Sequence, residues 1–274
     1  TSTLLLDGTS LQAVAMASGA VHSLVVMNSS AGVRLYEALV VRGTFTVLPG
    51  AVFDGAASLL TVAGNSGAWS TAGAVYRSSG PASHGVLWQP LAGTTLHVAD
   101  GSTVSARVSV SGRVRLAGKV YLTGAGNSLE LLAGGSLDAR GATVTLRDTS
   151  DLSMSTGAAY LHDAGSYVVY EGSGTDRGLS LSTGPFGHIV LAPSDPAASF
   201  RFRSLFLDGS LTVASGTLRL FDPARLDVKG DFLTTGGTAV FSGAAGSTLA
   251  FTGTIPQAWR PGRSDDVRHL EVSG

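Results

Sequence analysis

The stretch "LFLDGSLTVASGTLRLFDPARLDV", residues 205–228, contains four triplets in which an apolar residue is followed two places later by another. The triplets are Leu205/Leu207, Leu211/Val213, Leu218/Leu220 and Leu226/Val228. Alternation with period two is typical of a short strand with one buried face, and Asp-Gly and Ser-Gly between triplets are typical of tight turns. The pattern thus returns to its starting phase after three strands, or about 21 residues, as expected for a repeat that stacks on itself. It predicts one rung of a three-faced β-solenoid.

Two other stretches have the same arrangement and the same interval between their first and fourth triplets, "LVVRGTFTVLPGAVFDGAASLLTV" (39–62) and "VSVSGRVRLAGKVYLTGAGNSLEL" (108–131). The register predicts a set of inward-pointing core residues and a set of corner residues. The core set is Leu207, Val213, Leu220 and Val228, with their counterparts Val41, Val47 and Val62. The corner set is Asp208, Gly209 and Gly216. At this rung length, the chain of 274 residues makes about 13 rungs and a rod roughly 60 Å long.

A longer repeat is superimposed on the rungs. "GSTLAFTGTIPQAW" (246–259) is a near-copy of "TSTLLLDGTSLQAV" (1–14), and looser copies begin near residues 72 and 165. We therefore expect one continuous solenoid over 1–274, with internal repeats at approximately 1–71, 72–164 and 165–245 and a partial fourth at 246–274. We also expect Thr1 and Gly274 to be arbitrary cuts in a longer repetitive polypeptide. Self-association of separate chains, end to end or lateral, is the alternative.

Tandem immunoglobulin-like β-sandwiches are the competing fold, because an Asp-Gly between two alternating stretches is also a hairpin signal. A sandwich repeat of about 80 to 90 residues would match the longer period. However, sandwich strands usually run about five to six residues, and three-residue strands joined by three-residue corners do not form stable isolated hairpins. The solenoid is therefore the favoured interpretation.

Composition excludes several classes of protein. Hydrophobic residues make up 44% of the chain and the net charge is −1, which argues against disorder and against an electrostatic surface for nucleic acid or anionic lipid. There is no cysteine, so there are no disulfides or thiolate metal sites. No apolar run approaches the roughly 20 residues that a transmembrane helix needs. An extracellular or cell-surface location is compatible with these properties.

The order "GSYVVYEGSG … FGHIVL" (165–174 and 186–191), followed by "DGSLTVASGTLRLFDPARLDVKGDF" (208–232), resembles the repeats of very large bacterial extracellular and cell-surface proteins of the haemagglutinin-like adhesin or fibre type. The resemblance covers nearly the whole chain and rests on pattern and composition. It implies a right-handed parallel β-helix that acts as a stalk, a fibre or an adhesive surface. Phage tailspikes and polysaccharide lyases share that architecture, so the fold alone does not decide the function.

The search for catalytic or metal-binding residues yields no candidate. The six histidines are His22, His84, His97, His162, His188 and His269, and none has a metal-ligand spacing. His188 and His269 are expected at solvent-facing corners. Asp265 and Asp266 are adjacent, as in a paired-carboxylate site, but neighbouring strand residues point to opposite faces, so a solvated turn is the preferred interpretation. We therefore expect no enzyme activity, no cofactor, and no catalytic, cofactor-binding or metal residues.

Other polar and aromatic residues receive structural roles. The aspartates expected to cap turns are Asp208, Asp222, Asp227 and Asp231. Gln12 and Gln257 recur at matched positions and are expected to be buried amides with satisfied hydrogen bonds. The pairs Phe200/Phe202 and Tyr167/Tyr170 are expected in the core or at its rim, and a sugar-stacking surface is the alternative. The calcium-binding nonapeptide and a regular Thr-x-Thr ice-binding ladder are both missing.

Two functions remain. The first is a structural protein outside the cell, forming a rod, stalk or fibre. The second is an adhesin or glycan-binding module, in which one solenoid face, or the longer insert of the second repeat at about 132–164, contacts a cell-surface glycan. A polysaccharide-degrading β-helix enzyme is the least favoured hypothesis. No nucleic-acid partner and no transmembrane segment are expected.

Overall fold

The chain winds into a parallel β-solenoid with three strands per turn, and the described residues contain strands but no helix. The computed structural model describes residues 2–16, 19–48, 51–54, 58, 60–62, 68–69, 75–77, 85–88, 96–98, 103–105, 107–110, 112–123, 128–148, 151–173, 177–179, 185–236, 240–262 and 265–273. Strands are numbered β1 to β33 in chain order. All the strand pairs in the described residues are parallel, as in Leu205 with Leu226, so the solenoid prediction is confirmed and the antiparallel sandwich is wrong.

Face 1 begins as an eight-stranded sheet in which each strand pairs with the strand one turn away. Its strands are β1 (Thr3–Leu6), β4 (Ser23–Val26), β7 (Phe45–Val47), β10 (Ala68–Trp69), β13 (Leu96–Val98), β16 (Arg113–Leu116), β19 (Ser136–Asp138) and β22 (Ala159–Leu161). The pairing of every third strand is what a three-sided coil requires.

Face 2 is continuous through the molecule and contains 12 strands in its described part. Its strands are β2 (Gln12–Val14), β5 (Val33–Leu35), β8 (Val52–Asp54), β11 (Val75–Arg77), β14 (Thr103–Ser105), β17 (Lys119–Leu122), β20 (Thr143–Leu146), β23 (Tyr167–Tyr170), β25 (His188–Leu191), β27 (Leu211–Val213), β29 (Phe232–Thr234) and β32 (Trp259–Arg260). At about 4.8 Å between neighbouring strands, this sheet is roughly 53 Å long.

Face 3 begins as a seven-stranded sheet. Its strands are β3 (Gly19–Val21), β6 (Leu39–Val41), β9 (Leu60–Val62), β12 (Gly85–Trp88), β15 (Arg107–Val110), β18 (Ser128–Leu131) and β21 (Asp151–Met154). Parallel strands joined by crossovers are right-handed in about 98% of cases, which is the hand we expect for this coil.

In the last third of the chain, faces 3 and 1 join into a single sheet. Its strands are β24 (Arg177–Leu179), β26 (Ser199–Leu207), β28 (Thr217–Val228), β30 (Val240–Gly243), β31 (Thr248–Phe251) and β33 (His269–Val272). β26 and β28 each pass through both faces, and their pairing shifts register between Phe202 and Ser204. The sequence pattern predicted separate strands at Leu218/Leu220 and Leu226/Val228, whereas both triplets belong to the one bent strand β28.

The predicted length of one rung is confirmed in all three stretches from which it was derived. Leu39 pairs with Leu60, Val108 with Leu129 and Leu205 with Leu226. The number of residues per turn differs elsewhere in the chain. Thr103 pairs with Val75 in the turn before it and with Tyr121 in the turn after it, and more residues separate Thr103 from Val75 than from Tyr121. The corners absorb these differences while the strands stay in register.

The predicted core residues lie inside the coil. Six of the seven are no more than 3% exposed, namely Val41, Val47, Leu207, Val213, Leu220 and Val228. The side chain of the seventh, Val62, lies outside the described residues. Burying one such side chain contributes about 1.5 to 3 kcal/mol, so a continuous apolar column stabilises the stack at every turn.

The predicted corners are also confirmed. Asp208 and Gly209 form the bend between β26 and β27, and Gly216 forms the bend before β28. Gly216 has φ +76°, and a Cβ on it would lie 2.7 Å from the Ala198 carbonyl oxygen, so this turn requires glycine.

The first and fourth sequence repeats open on the same face. β1 and β4 lie on face 1, and so do β31 and β33, which carry the copied sequence. β33 is an edge strand in the described part of the chain, and it exposes two apolar side chains, Leu270 at 51% and Val272 at 75%. They pair with Leu249 and Phe251, which are buried in β31.

No helix in the described residues has the length and apolarity needed to cross a membrane.

Candidate functional site

Four glycines are stacked at the corner between faces 1 and 2. This glycine column consists of Gly187, Gly209, Gly230 and Gly253, one from each of four successive turns. The Gly209 N–H donates to the Gly187 carbonyl at 3.1 Å, and the Gly230 N–H donates to the Gly209 carbonyl at 2.9 Å. A Cβ on Gly209 would lie 2.6 Å from the Gly187 oxygen, so the close backbone approach excludes any side chain there.

An open cleft of about 510 Å³ lies over the glycine column, and we name it the corner cleft. Gly187, Gly209 and Gly230 line it, and Ile255 and Pro256 supply apolar surface. Its titratable residues come from four successive turns: His162, Asp163, His188, Asp208, Lys229 and Asp231. Neighbouring turns are about 4.8 Å apart, so residues some 20 positions apart in sequence become neighbours across the cleft.

His188 is fixed in a defined tautomer at this cleft. Its Nδ1 accepts a hydrogen bond from the Ser210 N–H at 3.0 Å, so in the neutral ring the proton is on Nε2. The ring stacks on Tyr167, with ring centroids 4.7 Å apart and planes at 18°. His188 is therefore only half-exposed, and it carries one donor, Nε2–H, beyond its structural bond.

Asp208 is at the centre of an ion-pair group. The Lys229 ammonium lies 2.7 Å from its Oδ1, and His162 Nε2 lies 3.4 Å from its Oδ2. The prediction that Asp208 caps a turn is therefore wrong, because its carboxylate pairs with Lys229 from the turn after it and with His162 from two turns before it.

The other aspartates divide between capping and pairing. Asp231 is a cap, since its Oδ1 accepts from the Ala258 N–H at 2.7 Å. Asp227 is not a cap, because both its oxygens bond the Arg225 Nε, at 2.9 and 3.0 Å. Asp222 has its side chain outside the described residues.

Asp163 organises the turn at one end of the corner cleft. Its Oδ1 accepts from the N–H groups of Gly141 and Gly165, both at 2.9 Å, and from the buried Ser166 hydroxyl at 2.9 Å. The Gly141 N–H is the main cause that lowers the pKa of the Asp163 carboxyl from 3.8, followed by the Ser166 hydroxyl. Negative charge on Asp163 is thus stabilised by hydrogen bonds from its own turn and from the preceding turn.

This lowered pKa predicts an acid-dependent contribution of Asp163 to stability. A carboxyl whose pKa is lower in the folded chain stabilises it fully above the unfolded pKa, and the contribution is lost as pH falls through the folded pKa. We expect the native chain to lose free energy of unfolding, relative to Asp163→Asn, as the pH falls below about 4. Urea unfolding of both proteins between neutral pH and pH 2 measures the difference. A constant difference across this range would contradict the prediction.

A second open cleft, of about 500 Å³, lies on the outer side of face 1, and we name it the face cleft. Pro185, Phe206, Asp227 and Thr252 line it, together with Asp208 and Lys229. Those last two residues also line the corner cleft. The Asp208–Lys229 ion pair is therefore the boundary between two adjoining clefts.

The adjacent acids Asp265 and Asp266 do not form a paired site. The Asp265 carboxylate accepts from Phe241 N–H at 2.8 Å, Gly262 N–H at 2.7 Å and the Thr234 hydroxyl at 2.9 Å. Asp266 instead pairs with Arg268 at 2.7 Å. The two carboxylates have separate partners, and Asp265 acts as a cap of the kind predicted for turns.

The predicted hydrogen bonds of the two glutamine amides are confirmed, but the prediction that these side chains are buried is wrong. Gln12 Oε1 accepts from the Gly8 N–H at 3.0 Å, and Gln257 Oε1 accepts from the Gly253 N–H at 3.0 Å. Gln257 Nε2 also donates to two carbonyl oxygens of the preceding turn at 2.7 Å. Both side chains are half-buried, and matched sequence positions make matched hydrogen bonds.

The aromatic pairs are mostly core residues, as predicted. Phe200, Phe202 and Tyr170 are fully buried, whereas Tyr167 is 37% exposed beside His188. The exposed aromatic residue of the face cleft, Phe206, was not predicted as a surface feature, although it lies between Leu205 and Leu207, the two apolar residues of one triplet.

Two further histidines whose side chains the structure describes do not line either cleft. His269 is exposed at the start of β33, and His22 is exposed at a corner. His84 and the side chain of His97 lie outside the described residues. In the described part of the chain, no group of three or more histidine and carboxylate residues is arranged to hold a metal ion.

The insert expected at about 132–164 is not a protruding loop. Its residues form β19, β20, β21 and β22, which lie in the three faces like other strands. The extra length of the second repeat is thus part of the coil.

Comparison with known proteins finds no matching family model, no matching curated protein and no matching solved structure. The assignment as a β-solenoid consequently rests on the geometry of this chain, and the resemblance to adhesin repeats rests on sequence pattern alone.

Proposed function

We propose that the chain is a non-catalytic structural rod, acting as a stalk or fibre segment outside a bacterial cell. The observation that carries the proposal is the unbroken order of face 2, where 12 described strands pair one after another along the axis. A rod of this kind separates the two ends of the chain by a fixed distance.

The coil has physical properties suited to this role. Its backbone hydrogen bonds run parallel to the axis, and the apolar column continues from Leu24 in one of the first turns to Leu249 in one of the last. Each turn packs on its neighbours, so bending the rod would separate paired strands and expose core side chains. The cell-surface location is supported by the resemblance of 165–191 to adhesin repeats and by a composition free of cysteine.

Association through strand edges belongs to the same proposal. The backbone groups of an edge strand can pair with another parallel strand, and β33 offers Leu270 and Val272 at positions that are buried in the turn beside it. A further turn stacked on this edge would bury both side chains, whether it came from the same polypeptide or from another copy.

A distance measurement between the ends tests the rod. Because the chain has no cysteine, Ser2→Cys and Ser273→Cys give two specific sites for spin labels at exposed positions. We expect electron–electron dipolar spectroscopy to give one narrow distance distribution centred at roughly 55 Å, from about 4.8 Å per turn. A broad distribution, or beads separated by joints in electron micrographs of the same chain, would contradict the rod.

A further inference from the structure

We propose that the corner cleft and the face cleft together form one groove that binds a neutral oligosaccharide. The proposal goes beyond the structural role, because a rod does not require a ligand. Its basis is the juxtaposition of an exposed aromatic ring, a carboxylate shared by both clefts, a half-buried histidine and a corner lined by glycines.

Phe206 supplies an apolar platform on the outside of face 1. It is 49% exposed, whereas its neighbours Leu205 and Leu207 are each 1% exposed and point into the core. An exposed phenyl ring beside carboxylates is the arrangement that matches a sugar, whose C–H face is apolar and whose rim carries hydroxyl groups. The ring lines the face cleft next to Asp208.

Asp208 is held in place to accept hydrogen bonds from hydroxyl groups. Lys229 at 2.7 Å and His162 at 3.4 Å fix its two oxygens, and its side chain is still 34% exposed. A carboxylate has about four lone-pair sites, so two partners leave acceptor capacity for a ligand. Asp208 lines both clefts, so a ligand that crosses from one to the other passes over it.

The corner cleft adds groups of both hydrogen-bonding types. His188 has the Nε2–H donor, because its Nδ1 is occupied by Ser210 N–H. Asp231 uses Oδ1 for the Ala258 N–H, which leaves its second oxygen as a further acceptor at this cleft. Hydroxyl groups both donate and accept, so a polyol can satisfy this mixture.

The charge of the groove selects against anionic ligands. Three carboxylates line the corner cleft, on Asp163, Asp208 and Asp231, against one ammonium group on Lys229. Phosphate, sulfate and uronate groups would meet net negative charge. A neutral sugar avoids this repulsion and still uses each acceptor.

The shape of the groove matches a chain molecule. The corner cleft is lined from His162 to Pro256, across five successive turns, which is roughly 19 Å along the axis. Three members of the glycine column, Gly187, Gly209 and Gly230, line it and contribute no side chains to the corner. A linear oligosaccharide can therefore extend along the corner cleft, and the end that crosses Asp208 enters the face cleft, where one ring lies over Phe206.

Binding to the intact chain tests the assignment. The probes are four neutral hexasaccharides, cellohexaose, chitohexaose, mannohexaose and xylohexaose, with a heparin hexasaccharide and hexalysine as charged comparisons. We expect at least one neutral probe to saturate the chain in isothermal titration, and neither charged probe to bind more tightly. Saturation by no neutral probe at millimolar concentration, or tighter binding of a charged one, would overturn the proposal.

Two matched pairs of variants locate the site. Phe206→Ala is expected to weaken binding by about tenfold or more, whereas Phe221→Ala, a 39% exposed phenylalanine outside both clefts, should leave it within about twofold. Asp208→Asn is compared in the same way with Asp266→Asn, whose carboxylate also pairs with a cation at 2.7 Å. Thermal unfolding confirms that each variant is folded. Equal losses within either pair would overturn the site, while the end-to-end distance tests the rod independently.

Discussion

Phe232→Ala is expected to lower the free energy of unfolding by about 3 to 5 kcal/mol, the largest effect we expect from a single side-chain truncation in this chain. Phe232 is fully buried in β29, the eleventh of the 12 described strands of face 2, and its strand neighbours are Leu211 and Trp259. Its ring meets the buried Phe241 ring edge to face, with centroids 5.1 Å apart. Truncation removes this contact and leaves a cavity that paired strands on both sides prevent from closing.

Phe221→Ala is the matched control for this experiment. It removes the same atoms from a side chain that is 39% exposed and lies 5.2 Å from the Arg201 guanidinium. We expect a loss of about 1 kcal/mol or less there, because little apolar surface leaves the core and an exposed cation–π contact is weak. Urea unfolding followed by circular dichroism compares the two. Losses of the same size would show that Phe232 is not in a rigid core.

Asn28→Ala is expected to lower the free energy of unfolding by about 3 kcal/mol, through hydrogen bonds instead of a cavity. Asn28 is 1% exposed at the corner between β4 and β5. Its Oδ1 accepts from the N–H groups of Ser30, Ala31 and Gly32, at 3.1 to 3.2 Å. Its Nδ2 donates to the carbonyls of Ser10 at 2.6 Å and Gly32 at 3.0 Å. Alanine removes the Asn28 amide from all of these groups, and the Gly32 pair among them is buried. The Gly32 carbonyl then keeps only the Gln12 N–H, at 3.2 Å.

Two further variants separate this network from local chain effects. Ser29→Ala changes the exposed neighbouring residue and should alter stability by about 0.5 kcal/mol or less. Asn28→Asp keeps the acceptor for the three N–H groups but places carboxylate oxygens against the Ser10 and Gly32 carbonyls, so it should also be destabilising. If Asn28→Ala were as stable as Ser29→Ala, the amide would not be holding the corner.

Much of this fold follows from residue pattern alone, because each short strand buries every second residue. Leu205 and Leu226, which open the first and fourth triplets of one stretch, are direct partners on face 1. The pattern did not predict that β26 continues from face 3 into face 1 as one strand, with no loop at the corner between them. The sequence "FRFRSLFL" (200–207) does contain the cause, since apolar residues alternate at Phe200 and Phe202 and then resume one position late at Leu205. A single-residue shift of this kind is also the mark of a new strand after a tight corner, so pattern alone does not distinguish the two.

The groove was harder to predict, because its residues are scattered in sequence. His188, Asp208 and Lys229 are each about one turn apart, and they become neighbours only when the register of every intervening corner is known. The spacing of Gly187, Gly209 and Gly230 was the available signal, since glycines that recur at the turn length mark one column of corners. Phe206 was hidden for a different reason. It occupies the middle of a triplet whose outer residues are buried, so its exposure follows from alternation, but its role depends on Asp208 from the next corner.

The one-turn separation of paired strands also sets how the chain folds. Partners such as Tyr167 and His188 lie about 21 residues apart in a chain of 274, which gives a relative contact order of roughly 0.08. This value is in the range of helical bundles and well below that of β-sandwiches, although every regular element described here is a strand. Closing one turn requires only a short loop, and each completed turn is a template for the next. We therefore expect neighbouring turns to stack in the order in which they are synthesised.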